Sequence, residues 1–403
     1  MKNIRQFSNK FKTALTIFFM VASFFVIASA SITKGNAKSS YTFDGKTIDS
    51  EAFGPELPTS SDKVFLTRDF DLNDDYVIPT GQLVRIYMNG HNINLHGHQI
   101  RIEGTGALVI YEDRTNPTFF SLDSNGNVID GNDYVVNGGS ITGATDDYAF
   151  VIDGSDAHLY LKGANVYGNT AGAVKVVNGK LHLDGGSISC NTAEYGAGVF
   201  LDTNGKLAMT GGVIENNIAT KNGAGVYQNG YMEVCKESII RNNKLTTNIN
   251  NNVYIPDTNT ANKAIRVTSG TFTGRIGITS SSDAKLTSYF GYYNNASGTN
   301  VADYFFSDID GKYITASGTG NNQEAIFTDV EPTDHTHNSK TFTKWTSTTS
   351  LPTTEGNYYL SKDVKLTSYY NVSGTISIDL NGHSINLNGR YFIQFNLMNR
   401  LLH

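Results

Sequence analysis

Three aspartates around one short apolar run are the residues in this sequence whose type and spacing come closest to an active site. Asp146 and Asp147 precede residues 148–152, and Asp153 follows them directly. Glycoside hydrolysis needs two carboxyl groups about 5–9.5 Å apart, a separation that side chains on one strand or on neighbouring strands can reach. Aspartate beside glycine or asparagine is also ordinary turn chemistry. The sequence therefore leaves polysaccharide cleavage open, with these three as the catalytic candidates.

Metal-dependent chemistry has weaker support. A lyase would need a cluster of oxygen ligands for calcium and a basic residue on the same face, and neither Lys175 nor Lys206 has an acidic cluster beside it in the sequence. His335 and His337 have a spacing that suits a metal ion, but no third ligand lies nearby in the chain. We therefore expect no metal site and no cofactor.

Tyrosines offer a binding surface that needs no catalysis. Tyr148, Tyr167, Tyr195 and Tyr227 lie near the expected corners of a repeating structure. Flat aromatic rings can stack on sugar faces while they bury a large area, although the same rings could instead fill a core or shield its ends. These four residues are the candidates for contact with a polysaccharide or with a glycan of a host or neighbouring cell surface.

The elements that position these residues form a repeat. Asn recurs at 169, 191, 217 and 243, at intervals of 22, 26 and 26 residues. Such a period is too short for a propeller blade, which needs about 40 residues, or for a helical repeat, which needs about 33. Apolar and polar residues alternate within each period, as in a half-buried strand, and Asn-Gly pairs separate the strands. The pattern predicts the coils of a parallel β-solenoid.

The recurring asparagines predict a ladder inside that solenoid. Stacked coils place equivalent strands about 4.8 Å apart. An amide in a turn can then bond the same amide in the coils above and below, and this satisfies groups that would each cost about 1–3 kcal/mol if they were buried unpaired. Four asparagines in solvent-facing turns are the alternative interpretation.

At this point the sequence resembles right-handed parallel β-helix repeat proteins secreted by Gram-positive bacteria. The Gly-Gly-x-Ile-x-x-Asn-x-Ala coils at 185–193 and 211–219 carry the resemblance, together with residues 196–200, 223–227 and 88–95. The resemblance covers most of the chain after residue 30. It implies an all-β fold of 22–26-residue coils and a secreted or cell-surface, adhesin-like protein. It is weak for function, because the same coils also support lyases and glycosidases.

The N-terminus and the composition limit the location and partners of the chain. Residues 1–30 read as a signal peptide, with four basic residues before an apolar stretch and small residues at its end. No second hydrophobic span follows, so we expect no membrane span in the mature chain. The net charge of −6 and the lack of basic clusters argue against a nucleic-acid partner.

The remaining chain divides into four segments. We predict a lead-in at 31–61, a parallel β-helix at 62–329 and a linker at 330–342. Residues 343–403 then begin a second β-helix, because residues 381–389 match residues 89–97 at seven of nine positions. The match then stops, so we expect the second β-helix to be incomplete or truncated.

Overall fold

The computed structural model shows a parallel β-solenoid of about 11 turns. It describes residues 57–112, 138–256, 264–268, 271–281, 284–296, 299–331, 340–372, 374–381 and 383–390, and the backbone of the strands Ser40–Phe43, Lys46–Asp49, His335–His337 and Phe392–Ile393. The predicted signal peptide lies outside these residues. In the part of the chain that is described, no helix is long and apolar enough to cross a membrane.

The solenoid wall is one 20-stranded sheet that winds round three faces. Four strands bend from one face to another: Phe150–Tyr167, Val174–Ser189, Val199–Met209 and the shorter Arg275–Ser280. Besides these, the first face contains Tyr76–Ile78, Ile100–Glu103, Val226–Gln228 and Val253–Ile255. The second contains Asp62–Phe65, Leu83–Tyr87, Ala107–Tyr111, Tyr231–Val234, Ile265–Val267 and Thr287–Ser288. The third contains Phe70–Asp71, Ile93–Gly97, Ser140–Ala144, Val213–Glu215, Ile239–Arg241 and Phe305–Ser307.

Parallel pairing in constant register places like residues above one another in the core. On the third face Val166, Ile188, Ile214 and Ile240 follow one another on successive coils, all with no exposed surface. No single coil could shield these side chains from water, so the stacking itself supplies the hydrophobic stabilisation. A separate three-stranded sheet, made of Thr192–Tyr195, Ile218–Asn222 and Lys244–Leu245, follows the turns that contain the ladder asparagines.

The ladder prediction is confirmed. Each amide nitrogen donates to the Oδ1 of the next coil, at 2.9 Å from Asn169 to Asn191, from Asn191 to Asn217 and from Asn217 to Asn243. The same Oδ1 also accepts the backbone N–H of the preceding ladder residue at 3.0 Å. All four side chains have no exposed surface. The solvent-facing alternative is therefore wrong.

The turn geometry explains why the ladder repeats. The residue before each ladder asparagine has a positive φ, from 55° to 68°; these residues are Gly168, Cys190, Asn216 and Asn242. This left-handed residue turns the chain so that the next side chain points inward. Glycine and asparagine adopt that conformation at the least cost, and Cys190 is the exception among the four.

The ladder continues for two residues beyond the predicted four and ends on a carboxylate. Asn243 donates to Asn252 Oδ1 at 3.0 Å, and Asn252 donates to Asp308 through its side chain at 2.7 Å and through its backbone at 2.6 Å. Burial raises the pKa of Asp308 to about 6. A carboxylate accepts hydrogen bonds without having to donate one onward, so it suits the last position.

An antiparallel hairpin, Tyr313–Ser317 with Glu324–Thr328, follows the last solenoid strand. Glu324 accepts hydrogen bonds from the Thr287 hydroxyl at 2.8 Å and from the Phe290 backbone at 3.2 Å, which ties the hairpin to the preceding chain. The short helix Phe290–Tyr293 and the 3₁₀ turns Val301–Asp303 and Gly320–Asn322 complete this region.

The C-terminal segment begins a second parallel stack, as predicted. Lys340–Trp345, Gly356–Leu360 and Ile376–Asp379 pair in parallel, as do Val364–Lys365 with Ile385–Asn386 and Tyr370–Asn371 with Phe392–Ile393. The stack repeats contacts of the first coils: Asn381 bonds Leu360 O at 3.2 Å, as Asn89 bonds Leu66 O at 3.1 Å. Within the predicted linker, His335–His337 forms a hairpin with Lys340–Trp345.

Candidate functional site

The outward positions of the first face carry a row of aromatic and basic side chains. Lys175, Phe200, Tyr227 and Tyr254 occupy the same register on four successive coils. Each lies between inward-pointing apolar or amide residues, so strand alternation turns it outward. The rings stack at 5.1 Å between Phe200 and Tyr227 and at 5.6 Å between Tyr227 and Tyr254. All four side chains are half-buried.

Two of the predicted tyrosines extend this row sideways. The Tyr195 ring meets Tyr227 edge-on at 5.3 Å, and Tyr148 lies 6.3 Å from Phe200. The Tyr148 hydroxyl donates to the backbone oxygen of Tyr195, so the two are fixed relative to each other. We call these five rings, Tyr148, Tyr195, Phe200, Tyr227 and Tyr254, the aromatic row.

Two lysines flank the aromatic row. The Nζ of Lys221 lies 5.0 Å from the Tyr195 ring and forms an ion pair with Glu194. The Nζ of Lys175 lies 5.9 Å from the Tyr148 ring. The hydrogen bond to Glu194 raises the pKa of Lys221, which therefore stays charged. Cations over ring faces add a modest attraction and cover part of those faces.

The hydroxyls of Tyr148 and Tyr227 remain neutral at physiological pH. Burial raises the pKa of Tyr227, and the neighbouring Tyr254 adds to the rise. Burial also raises the pKa of Tyr148. A neutral hydroxyl both donates and accepts a hydrogen bond, which matches the hydroxyl groups of a sugar.

The ring faces are less available than the sequence led us to expect. Phe200 and Tyr227 are nearly parallel, 6° apart, and each covers a face of the other. Stacking along the solenoid therefore uses the flat surfaces that a sugar ring would need. The aromatic row instead presents ring edges and hydroxyls, repeated from coil to coil.

A shallow open depression lies beside the aromatic row, on the separate three-stranded sheet that follows the ladder turns. Its volume is about 400 Å³, and small polar and apolar side chains line it: Thr170, Ala171, Thr192, Ala193, Glu194, Ile218, Thr220 and Thr246. Ile218 is 41% exposed, which is unusual for a large apolar side chain in this molecule. Glu194 belongs both to the depression and to the ion pair at Tyr195, so the two surfaces are continuous.

The fourth predicted tyrosine lies elsewhere. Tyr167 ends its strand on the third face, in register with Ser189. Sequence reasoning missed Phe200 and Tyr254, although both occupy the Tyr227 position in the neighbouring coils. The repeat register was the signal that could have found them.

Two of the three candidate carboxylates, Asp146 and Asp147, lie in the bend before the strand Phe150–Tyr167, and Asp153 lies within that strand. Asp146 is exposed and accepts a hydrogen bond from the Thr145 hydroxyl at 2.9 Å. Asp147 accepts one from the backbone N–H of Tyr148 at 2.8 Å, and Asp153 is exposed. Among the described residues no three His, Cys, Asp or Glu side chains converge as metal ligands.

No family model matches the sequence, and no curated protein or solved structure shows significant similarity to it. The candidate site is therefore interpreted from its own geometry.

Proposed function

We propose that this chain is a secreted or cell-surface, adhesin-like β-helix protein that binds glycans of host or neighbouring cells through the aromatic row. The observation that carries this proposal is the constant register of Phe200, Tyr227 and Tyr254 on one outward face. A linear glycan that lies along the coil axis meets ring edges and hydroxyls at intervals of about 4.8 Å.

The neighbouring chemistry supports the proposal. Half-buried tyrosines lose little conformational freedom on binding, because stacking already holds their rings. The depression lined by threonine side chains continues the same surface and adds hydroxyl groups around an apolar floor. Aromatic edges, hydroxyls and a shallow open shape suit binding of a polymer along its length.

Retention of the purified protein on immobilised plant, host and bacterial polysaccharides tests the proposal. We expect Tyr227→Ala and Tyr254→Ala to reduce retention on the polymer that holds the wild type. Tyr292→Ala is the matched control, because Tyr292 is 59% exposed and lies outside the aromatic row. Equal loss in all three variants, or no loss in the first two, would contradict the proposal.

The same experiment distinguishes binding from turnover. New chain ends in the polysaccharide would indicate a lyase or glycoside hydrolase, and Asp146→Ala, Asp147→Ala and Asp153→Ala would then identify the carboxylate responsible. Retention without new ends is the result that we expect.

A further inference from the structure

Among the described residues, two ion pairs connect the solenoid to the second parallel stack, which begins at Lys340. On the third face Arg275 Nη1 lies 3.4 Å from Asp379 Oδ1. At the separate three-stranded sheet Lys244 Nζ lies 3.8 Å from Asp363 Oδ2. In both pairs the solenoid supplies the cation and the second stack supplies the carboxylate, so the two surfaces have complementary charge.

The apolar cores of the two units are separate. In the part of the chain that is described, the buried apolar side chains form one cluster from Leu57 to Phe327 and another from Leu351 to Tyr370, and no side chain belongs to both. Units of one chain move relative to each other unless a large hydrophobic interface joins them. The attraction that holds the second stack against the solenoid is therefore mainly electrostatic.

The connection between the two units has an ion pair of its own. Glu331 lies at the start of the predicted linker and pairs with Lys344 in the first long strand of the second stack. A hinge needs only a few residues that change their backbone angles. Rotation about the linker would separate Arg275 and Lys244 from their partners while the Glu331 pair stays intact.

We propose that the second stack is a hinged unit that the Arg275–Asp379 and Lys244–Asp363 pairs hold against the solenoid, and that salt releases it. The side chains of Lys244 and Asp363 are 30% and 43% exposed, so dissolved ions reach this pair. Solvent-exposed charges are screened beyond about 8 Å at 0.15 M salt and beyond about 3 Å at 1 M salt.

The carboxylate of Asp363 carries its charge throughout the physiological pH range. Burial opposes its ionisation, but hydrogen bonds from His383 and from the Ser384 backbone outweigh burial, and with the charge of Lys244 they lower the pKa of Asp363 to about 2. The attraction to Lys244 is therefore present at neutral pH, and ionic strength can weaken it.

Release would alter the border of the candidate binding surface. Lys244 is in register with Ile218, which lines the depression. The docked second stack therefore places Asp363 beside the depression, and its departure would free the Lys244 cation at that edge. The release itself does not depend on glycan binding, so the two proposals can fail separately.

Small-angle X-ray scattering of the purified protein across a salt series tests the proposal. We expect the radius of gyration and the maximum dimension to rise between low salt and about 1 M salt, with an unchanged circular dichroism spectrum. The double variant Lys244→Glu with Arg275→Glu should be extended already at low salt, because it places like charges opposite the two carboxylates. Arg275→Lys keeps the cation, so it should need more salt than Arg275→Gln for the same extension.

Arg101→Gln is the matched control, since Arg101 also lies 3.4 Å from a carboxylate, that of Glu103, but within the solenoid. This variant should be as compact as the wild type at low salt. The proposal is wrong if the wild type is already extended at low salt or keeps its dimensions up to about 1 M salt. A double variant that stays compact, or an equal extension in Arg101→Gln, would also overturn it.

Discussion

Replacement of Asn217 by alanine should destabilise the solenoid more than any exposed asparagine substitution. Asn217 Oδ1 accepts both the backbone N–H of Asn191 at 3.0 Å and its side-chain amide at 2.9 Å. Alanine leaves the Asn191 backbone N–H buried without this acceptor, whereas the Asn191 side-chain amide keeps its bonds to the backbone oxygens of Val166 at 3.0 Å and Ser189 at 2.9 Å. At about 1–3 kcal/mol for one unsatisfied buried donor, the loss is about 1–3 kcal/mol.

The amide nitrogen of Asn217 adds to this estimate. It donates to the backbone oxygens of Ile188 at 2.9 Å and Glu215 at 3.2 Å, besides its bond to Asn243. A carbonyl oxygen without its bond costs less than a buried N–H without one, so these losses are smaller than that of the Asn191 backbone donor. We therefore place the change near the middle of the range.

Urea unfolding followed by circular dichroism measures the effect. The matched control is Asn204→Ala, since Asn204 is exposed within the strand Val199–Met209, and we expect it to change stability by no more than about 0.5 kcal/mol. A loss for Asn217→Ala below about 1 kcal/mol would refute the argument that the buried ladder holds the coils together.

Three further predictions concern other parts of the solenoid. Burial raises the pKa of Asp308 from 3.8 to about 6. The contribution of Asp308 to the free energy of unfolding is therefore full below about pH 4 and is lost as the pH rises to about 6. Asp308→Asn should remove this loss when unfolding is measured from pH 4 to 7. Burial lowers the pKa of His182 from 6.5 to about 4. Its contribution to the free energy of unfolding is therefore full above about pH 6.5 and is lost as the pH falls to about 4. His182→Asn should flatten the acid side of the stability profile, and an unchanged profile would contradict the lowered pKa. Gly179→Ala should lower the free energy of unfolding by at least about 1–3 kcal/mol, because φ is +109° and a Cβ would lie 2.5 Å from Ala157 O. Gly81 has a φ of +77° with open space around it, so Gly81→Ala should cost only about 1–2 kcal/mol. Thermal unfolding measures both variants.

The sequence predicted those parts of the fold that repeat. The coil period and the four ladder asparagines follow from the alternation and spacing of residues 163–245. The Asn-Gly pairs at 178–179 and 204–205 do not separate strands as predicted, because Val174–Ser189 and Val199–Met209 run through them. The same structural position recurs in every coil. An asparagine that repeats at the coil period can therefore be distinguished from an asparagine in a single exposed turn.

The ends of the repeat could not be predicted in the same way. Asn252 follows Asn243 by only nine residues, and Asp308 lies 56 residues beyond Asn252, so neither fits the period. The hairpin of Tyr313–Ser317 and Glu324–Thr328 is tied to the solenoid by a hydrogen bond between Thr287 and Glu324, 37 residues apart, for which no local pattern exists.

The candidate site was predicted only in part. Tyr148, Tyr195 and Tyr227 do come together, but Tyr167 does not, because it faces outward on a different side of the coil. The contact between His158 Nδ1 and His182 Nε2, which lie 3.0 Å apart on neighbouring coils, was missed. Their separation of 24 residues is close to the coil period, and this was the signal in the sequence.

The most direct test of glycan binding by this β-helix is to score polymer retention and new chain ends together, for the wild-type protein and for Tyr227→Ala. We expect the wild type to be retained on at least one polysaccharide without cleaving it, and retention to fall when Tyr227 is removed. Cleavage of the polymer, or retention that does not depend on the aromatic row, would contradict the account.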